Sequence, residues 1–69
     1  MFKELQPHEQ RVLDEQSELC EKIIKLAEFL EKPQPKFIND EQWFLLNTQL
    51  GAMALYRDIL AQRIKAFMQ

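Results

Sequence analysis

The feature that most constrains this chain is a run of apolar residues in its second half, spaced alternately four and three positions apart. The run consists of Leu46, Leu50, Met53, Leu60, Ile64 and Phe67. This spacing keeps side chains on one face of an α-helix, so it predicts a long helix from about residue 40 to residue 68. Trp43, Ala52, Tyr56 and Ile59 widen the apolar side beyond a two-stranded seam, which favours contact with more than one neighbouring helix.

The first half of the chain carries a matching apolar stripe. It consists of Val12, Leu19, Ile23, Leu26 and Leu30. Pro7 is a residue favoured in the first turn of a helix, so we expect this helix to run from about residue 7 to residue 31. The prolines at 33 and 35 prevent a helix from continuing through residues 32–38, after which Phe37 and Ile38 are expected to return to the core. The sequence therefore predicts an all-α, antiparallel two-helix hairpin that forms a single domain over residues 1–69.

Folding the two helices back on each other predicts which residues meet. Equal rise along both helices pairs positions whose numbers sum to about 72 or 73. The expected apolar pairs are Leu30 with Trp43, Leu26 with Leu46, Ile23 with Leu50, Leu19 with Met53, and Val12 with Leu60. The single polar position in each stripe also meets its counterpart, since Gln16 falls opposite Arg57 with Glu15 nearby. Such a polar layer specifies helix register at some cost in stability.

A chain of 69 residues buries only a modest fraction of its surface and therefore needs reinforcement. The chain has one cysteine and one histidine, so neither an internal disulfide nor a zinc site of the usual spacing can form within it. Association between chains is the remaining way to stabilise the fold. We expect the hairpins to assemble into a homo-oligomeric helical bundle, because Trp43, Phe44, Leu55 or Ile59 would otherwise stay on an open face.

Composition excludes several functions. The net charge is −2 and the basic residues are dispersed among acids, so neither DNA nor RNA is an expected partner. No apolar run is long enough to cross a bilayer, and the amino end lacks the apolar core of a signal peptide, so a cytoplasmic location without membrane contact is expected. No nucleophile and base fall together, and no Glu-x-x-His pair occurs, so neither an enzyme nor a metal or other cofactor is expected.

Three segments carry a family resemblance: HEQRVLDEQSEL (8–19), KIIKLAEF (22–29) and LLNTQLGAMALYRDILAQRI (45–64). Together they resemble small helical-hairpin proteins encoded by bacteriophages and prophages, including a protein of crAss-like phages. The resemblance is strongest at Arg11, Val12, Glu15, Leu19, Phe29, Gln49, Met53, Tyr56, Leu60, Arg63 and Ile64. The architecture is also similar to the short hairpins of phage anti-CBASS and anti-Thoeris proteins, which oligomerise and sequester nucleotide-derived immune signals, although their binding motif is absent here.

These resemblances imply a phage protein that sequesters a cyclic oligonucleotide or an ADP-ribose-type messenger in the bacterial cytoplasm. The candidate ligand-binding residues are Arg11, Tyr56, Arg57 and Arg63. The hairpin pairing places Arg11 and Arg63 at one level, near Tyr56 and Arg57, where arginines suit phosphate and a tyrosine ring suits a base. The same arginines could instead bridge subunits, and Arg11 could pair with Glu15 one turn away. In that case the chain would be a helical adaptor that binds a host or phage protein.

Overall fold

A computed structural model describes residues 4–68 and consists of two helices, α1 (Pro7–Glu31) and α2 (Asp40–Met68), that pack along each other. The predicted all-α two-helix hairpin is confirmed. Residues 1–3 and Gln69, which the predicted domain includes, lie outside the described residues. The hairpin measures 53 × 17 × 14 Å, so it is about three times as long as it is wide. Neither described helix combines the length and apolar character that crossing a membrane requires.

The start of α1 is fixed by a reciprocal cap. Pro7 occupies the first turn, and the backbone N–H of Gln6 donates to Oε1 of Glu9 over 2.9 Å. The backbone N–H groups of Glu9 and Gln10 in turn donate to the carbonyl of Gln6. Glu9 is only 6% exposed, so its carboxylate lies buried at the positive end of the helix. The cap therefore starts α1 where the first proline of the sequence indicates.

The loop between the helices is held together by one glutamine. Nε2 of Gln34 donates to the carbonyl of Ile38 and to Oδ1 of Asp40, both over 2.9 Å. The backbone N–H of Ile38 donates to the carbonyl of Pro35 over 3.1 Å. These bonds join the end of the proline segment to the first residue of α2, and they set the direction in which α2 leaves the loop.

Asn39 begins α2. Its Oδ1 accepts a hydrogen bond from the backbone N–H of Gln42 over 2.8 Å, and its carbonyl accepts from Trp43 over 2.9 Å. A side-chain oxygen at this position satisfies one of the amides that the first helical turn leaves without a partner. Asn39 is therefore the N-cap of α2.

The core lies in the seam between the helices and is small. Its buried apolar residues are Val12, Leu19, Ile23 and Leu60, with Leu50, Met53, Ile64 and Phe67 packed against them. All eight belong to the two predicted stripes, so the inward faces of both helices follow the periodicity of the sequence. Leu60 is fully buried, and it lies in the part of α2 far from the loop.

Much apolar surface stays outside the core. Phe44, Leu55 and Ile59 are exposed, as predicted for the open face of α2. Trp43, which the sequence pairs with Leu30 and also counts among the candidates for the open face, is half-buried, because its ring packs 5.8 Å from the ring of Phe29. Phe37 was expected to return to the core but is 85% exposed, since the loop turns it outward. The described hairpin thus leaves a broad apolar surface uncovered.

Candidate functional site

Arg11 and Arg63 lie at the end of the hairpin away from the loop. Arg11 stands beside Val12 in α1, and Arg63 follows Leu60 by less than one turn of α2. The two helices pack antiparallel, so Arg11, near the start of α1, and Arg63, near the end of α2, lie at the same end of the hairpin. Both side chains are exposed. The antiparallel packing of α1 and α2 is therefore what brings these two cations to one end.

Neither of these guanidinium groups has a partner within residues 4–68. Arg11 forms no hydrogen bond or ion pair there, so the pairing with Glu15 considered from the sequence is not made. Arg63 likewise forms no hydrogen bond or ion pair with the described residues. A guanidinium carries five N–H donors in a fixed plane, and all of them on both arginines remain available to an anion.

Arg57 occupies the polar position of the α2 stripe and is half-buried. Its Nε donates to Oδ1 of Asp58 over 3.3 Å, where the two side chains are 39% and 60% exposed. An ion pair this open to water contributes little to stability. Gln16, its expected counterpart in α1, is also half-buried, but no hydrogen bond joins the two among the described residues. The terminal nitrogens of Arg57 are therefore not locked into the seam.

Tyr56 directly precedes Arg57 and is 40% exposed. Its hydroxyl forms no hydrogen bond with the described part of the chain, and its ring forms no close ring pair there. One turn of helix separates it from Leu60, so it lies on the same half of α2 as Arg63. An exposed aromatic ring of this kind can stack on a planar base or on a guanidinium.

The hairpin by itself encloses no pocket at these residues. No cavity is present within residues 4–68, and the candidate side chains lie on an open surface. No group of three carboxylate, histidine or cysteine side chains that could hold a metal gathers in the described chain. Small-molecule sites usually bury most of their ligand, so a second molecular surface would have to cover these residues to complete one.

Sequence reasoning missed two contacts that hold the two helices together beside the loop. The ring of Phe29 lies off the apolar stripe of α1, and only its aromatic character hinted at the contact with Trp43. Gln34 lies in a segment that was read only as a helix break, yet it ties the loop to Asp40. Both contacts lie at the loop end of the hairpin, far from the arginines.

Comparison with known proteins identifies the family. The chain belongs to the Sequestin family, whose sequence model matches residues 6–66 and so covers both helices and the loop. No curated protein and no solved structure matches the chain significantly. Membership of this family implies a non-catalytic binding protein and suggests that the chain sequesters a signalling molecule.

Proposed function

We propose that this Sequestin is a phage-encoded anti-defence protein that sequesters a nucleotide-derived immune signal, either a cyclic oligonucleotide or an ADP-ribose-type molecule. It acts in the cytoplasm of the bacterial host as a homo-oligomer whose ligand pockets lie between subunits. The messenger is held without chemical change and is thereby withheld from the defence pathway that it activates. Inhibition then follows mass action, so it requires the protein in at least stoichiometric amounts.

The observation that carries this proposal is the pair of guanidinium groups on Arg11 and Arg63, neither of which has a partner among residues 4–68. Two cations at one end of a hairpin favour a ligand with more than one phosphate, because each guanidinium can bind a phosphate through two parallel hydrogen bonds. Arg57 adds a third partly available guanidinium, and the exposed ring of Tyr56 offers a surface for a base. These are the parts that recognition of a nucleotide requires.

The absence of a pocket within residues 4–68 supports a site completed by a second subunit. An open surface leaves a bound nucleotide hydrated on one side, where each interaction between charges is weakened by water. Covering the arginines with another hairpin would exclude that water from the bound ligand. Homo-oligomerisation also accounts for the apolar surface that the lone hairpin leaves exposed, including Phe44 and Leu55.

The proposal is tested by incubating the purified protein with a panel of cyclic dinucleotides, cyclic trinucleotides and cyclic ADP-ribose isomers, and by measuring its melting temperature. A ligand that binds only the folded protein stabilises it by about 2.7 kcal/mol at one hundred times its dissociation constant, so one compound should raise the melting temperature by several degrees. Inorganic phosphate serves as the control for unspecific anion binding. Chromatography of the heat-denatured complex should recover the nucleotide intact.

A second function, that of an adaptor for a host or phage protein, is favoured by the exposed aromatic side chains. Phe37 is 85% exposed and Phe44 is 68% exposed, and exposed aromatic residues often anchor protein interfaces. Under this alternative the arginines would serve only the assembly. No nucleotide would then change the melting temperature, and substituting the arginines would dissociate the oligomer.

A further inference from the structure

The side of α2 that does not face α1 carries a second regular stripe. We call it the outer stripe, and it consists of Glu41, Leu45, Thr48, Ala52, Leu55, Ile59, Gln62 and Ala66. Every one of these residues is exposed in the hairpin. They follow one another at alternating steps of four and three, the spacing of a seam between two packed helices. No described part of the chain covers this seam.

We propose that the outer stripe packs against the outer stripe of a second copy of this chain, with the two α2 helices antiparallel and related by a two-fold axis. The inference rests on the homo-oligomer proposed above and specifies its contact surface. It does not depend on the identity of the ligand. Two hairpins joined in this way form a four-helix arrangement in which the α2 helices are central and the α1 helices are peripheral.

The order of residues along the outer stripe is suited to antiparallel self-pairing. Its steps of four and three read the same from either end, so a reversed copy overlaps it over its full length. Full overlap sets Ala52 against the partner's Leu55 and Thr48 against the partner's Ile59. Each of these layers combines a large apolar side chain with a small one, so the facing side chains can interdigitate without leaving voids.

The charges at the two ends of α2 favour the same orientation. The first turn is acidic, with Asp40 and Glu41, and the last turn is basic, with Lys65. Glu41 and Lys65 form no ion pair within the described residues. Antiparallel pairing brings the acidic turn of one copy beside the basic turn of the other at both ends. Parallel pairing would place like charges together, which is unfavourable.

Gly51 lies beside the middle of the outer stripe and is consistent with this contact. A Cβ atom built on it would meet nothing within 4 Å, so the hairpin itself gives no steric reason for a glycine there. Glycine inside a helix is unfavourable relative to alanine. Next to the proposed two-fold axis, its missing side chain allows the two helix backbones to approach closely.

Charge exchange tests the orientation in the full-length chain. Glu41→Lys and Lys65→Glu should each raise the dimer dissociation constant about threefold to tenfold, because each breaks two symmetric charge pairs at the surface. The double variant on one chain should restore the wild-type value. Since the two positions are about 36 Å apart along one helix, restoration must come from contact between copies. Lys65 is used because Arg63 belongs to the candidate ligand site.

A matched pair of apolar substitutions tests the surface itself, with the association measured by sedimentation and folding by circular dichroism. Leu55→Glu should raise the dissociation constant more than about tenfold, since it buries an unpaired carboxylate in the seam. Ile24→Glu, at an exposed apolar residue of α1 outside the outer stripe, should leave association unchanged.

An oligomer that tolerates Leu55→Glu, or a double charge variant that is no tighter than the single variants, would overturn the antiparallel α2 interface. Either result would leave the proposed nucleotide binding standing. Conversely, a wild-type protein that forms the dimer but binds no nucleotide of the panel would count against the ligand proposal alone. A wild-type chain that remains monomeric at micromolar concentration would overturn both the interface and the proposed homo-oligomer.

Discussion

The ring of Phe29, near the end of α1, lies 5.8 Å from the ring of Trp43, near the start of α2, with the two planes inclined at 58°. Tilted aromatic pairs at this separation are favourable because the edge of one ring faces the negative face of the other. The contact joins the two helices directly beside the loop. It therefore holds the helices together at the loop end of the hairpin, while the buried side chain of Leu60 packs in the core nearer the open end.

Replacing Phe29 should loosen this end. We expect Phe29→Ala to lower the free energy of unfolding by about 1 to 3 kcal/mol, because a half-buried ring and its aromatic pairing are both lost. Chemical denaturation followed by the fluorescence of Trp43, the single tryptophan, measures the change. Phe37→Ala makes the same substitution at a residue that is 85% exposed and should shift stability by less than about 0.5 kcal/mol. Equal effects of the two substitutions would contradict the assigned contact.

The buried core should be more sensitive to substitution. Leu60 has no exposed surface, so Leu60→Ala should cost about 2 to 5 kcal/mol through lost burial and the cavity left behind. Leu19→Ala, at the buried residue of α1 in the same core, should fall in the same range. Thermal melts at one fixed protein concentration check both, with Ile24→Ala as the exposed control. A melting temperature of Leu19→Ala within about a degree of wild type would show that the seam is wrongly assigned.

The amino end of α2 offers a third test. Asn39→Ala removes the oxygen that accepts from the N–H of Gln42, and it should lower stability by about 1 kcal/mol. Asn47→Ala makes the same chemical change inside the helix, where the side chain donates to the carbonyl of Trp43 from an exposed position. It should be neutral or slightly stabilising, because alanine has the higher helix propensity. If Asn47→Ala were the more harmful change, Asn39 would not be the cap.

Self-association is the fourth expectation. Only four apolar residues between residues 4 and 68 are buried, while Phe44, Leu55 and Ile59 are exposed, so the isolated unit should be weakly stable. The melting temperature should therefore rise with protein concentration, and sedimentation should detect an oligomer at micromolar concentration. A helical, monodisperse monomer with a concentration-independent melting temperature would rule this out.

Sequence periodicity predicted the fold well because the inward faces of two packed helices are governed by burial alone. Val12, Leu19 and Leu60 are buried where the alternating steps place them. The errors arose where other forces decide. The contact of Trp43 with Phe29, a ring off the predicted stripe, was not foreseen. Phe37 was expected inside, but bonds in the loop backbone turn it outward.

The candidate site was less predictable for a different reason. An ion pair between Arg11 and a carboxylate one turn away would contribute little free energy, because water screens both charges. The helical spacing between Arg11 and Glu15 therefore did not determine the contacts of Arg11. The side chains that would meet Arg63 belong to a ligand or to another copy, and neither leaves a periodic signal in one chain. The residues Arg11, Tyr56, Arg57 and Arg63 therefore remain a proposed site, whereas the hairpin that carries them is established.

The central claim is that these arginines hold a nucleotide. The most direct test is calorimetric titration with the nucleotide that raises the melting temperature. The proteins compared are the wild type, Arg63→Ala, Arg11→Ala and Lys25→Ala. Lys25→Ala removes one exposed positive charge from α1 outside the candidate site and is the control. Arg63→Ala and Arg11→Ala should each weaken binding by about 1.5 to 3 kcal/mol, as for a hydrogen bond to a charged group, and Arg63→Lys should recover little of it. Affinity should also fall as salt is raised, while sedimentation of the variants stays unchanged. If the arginine variants instead dissociate the oligomer, and no nucleotide changes the melting temperature of the wild type, the arginines bridge subunits and the chain is an adaptor.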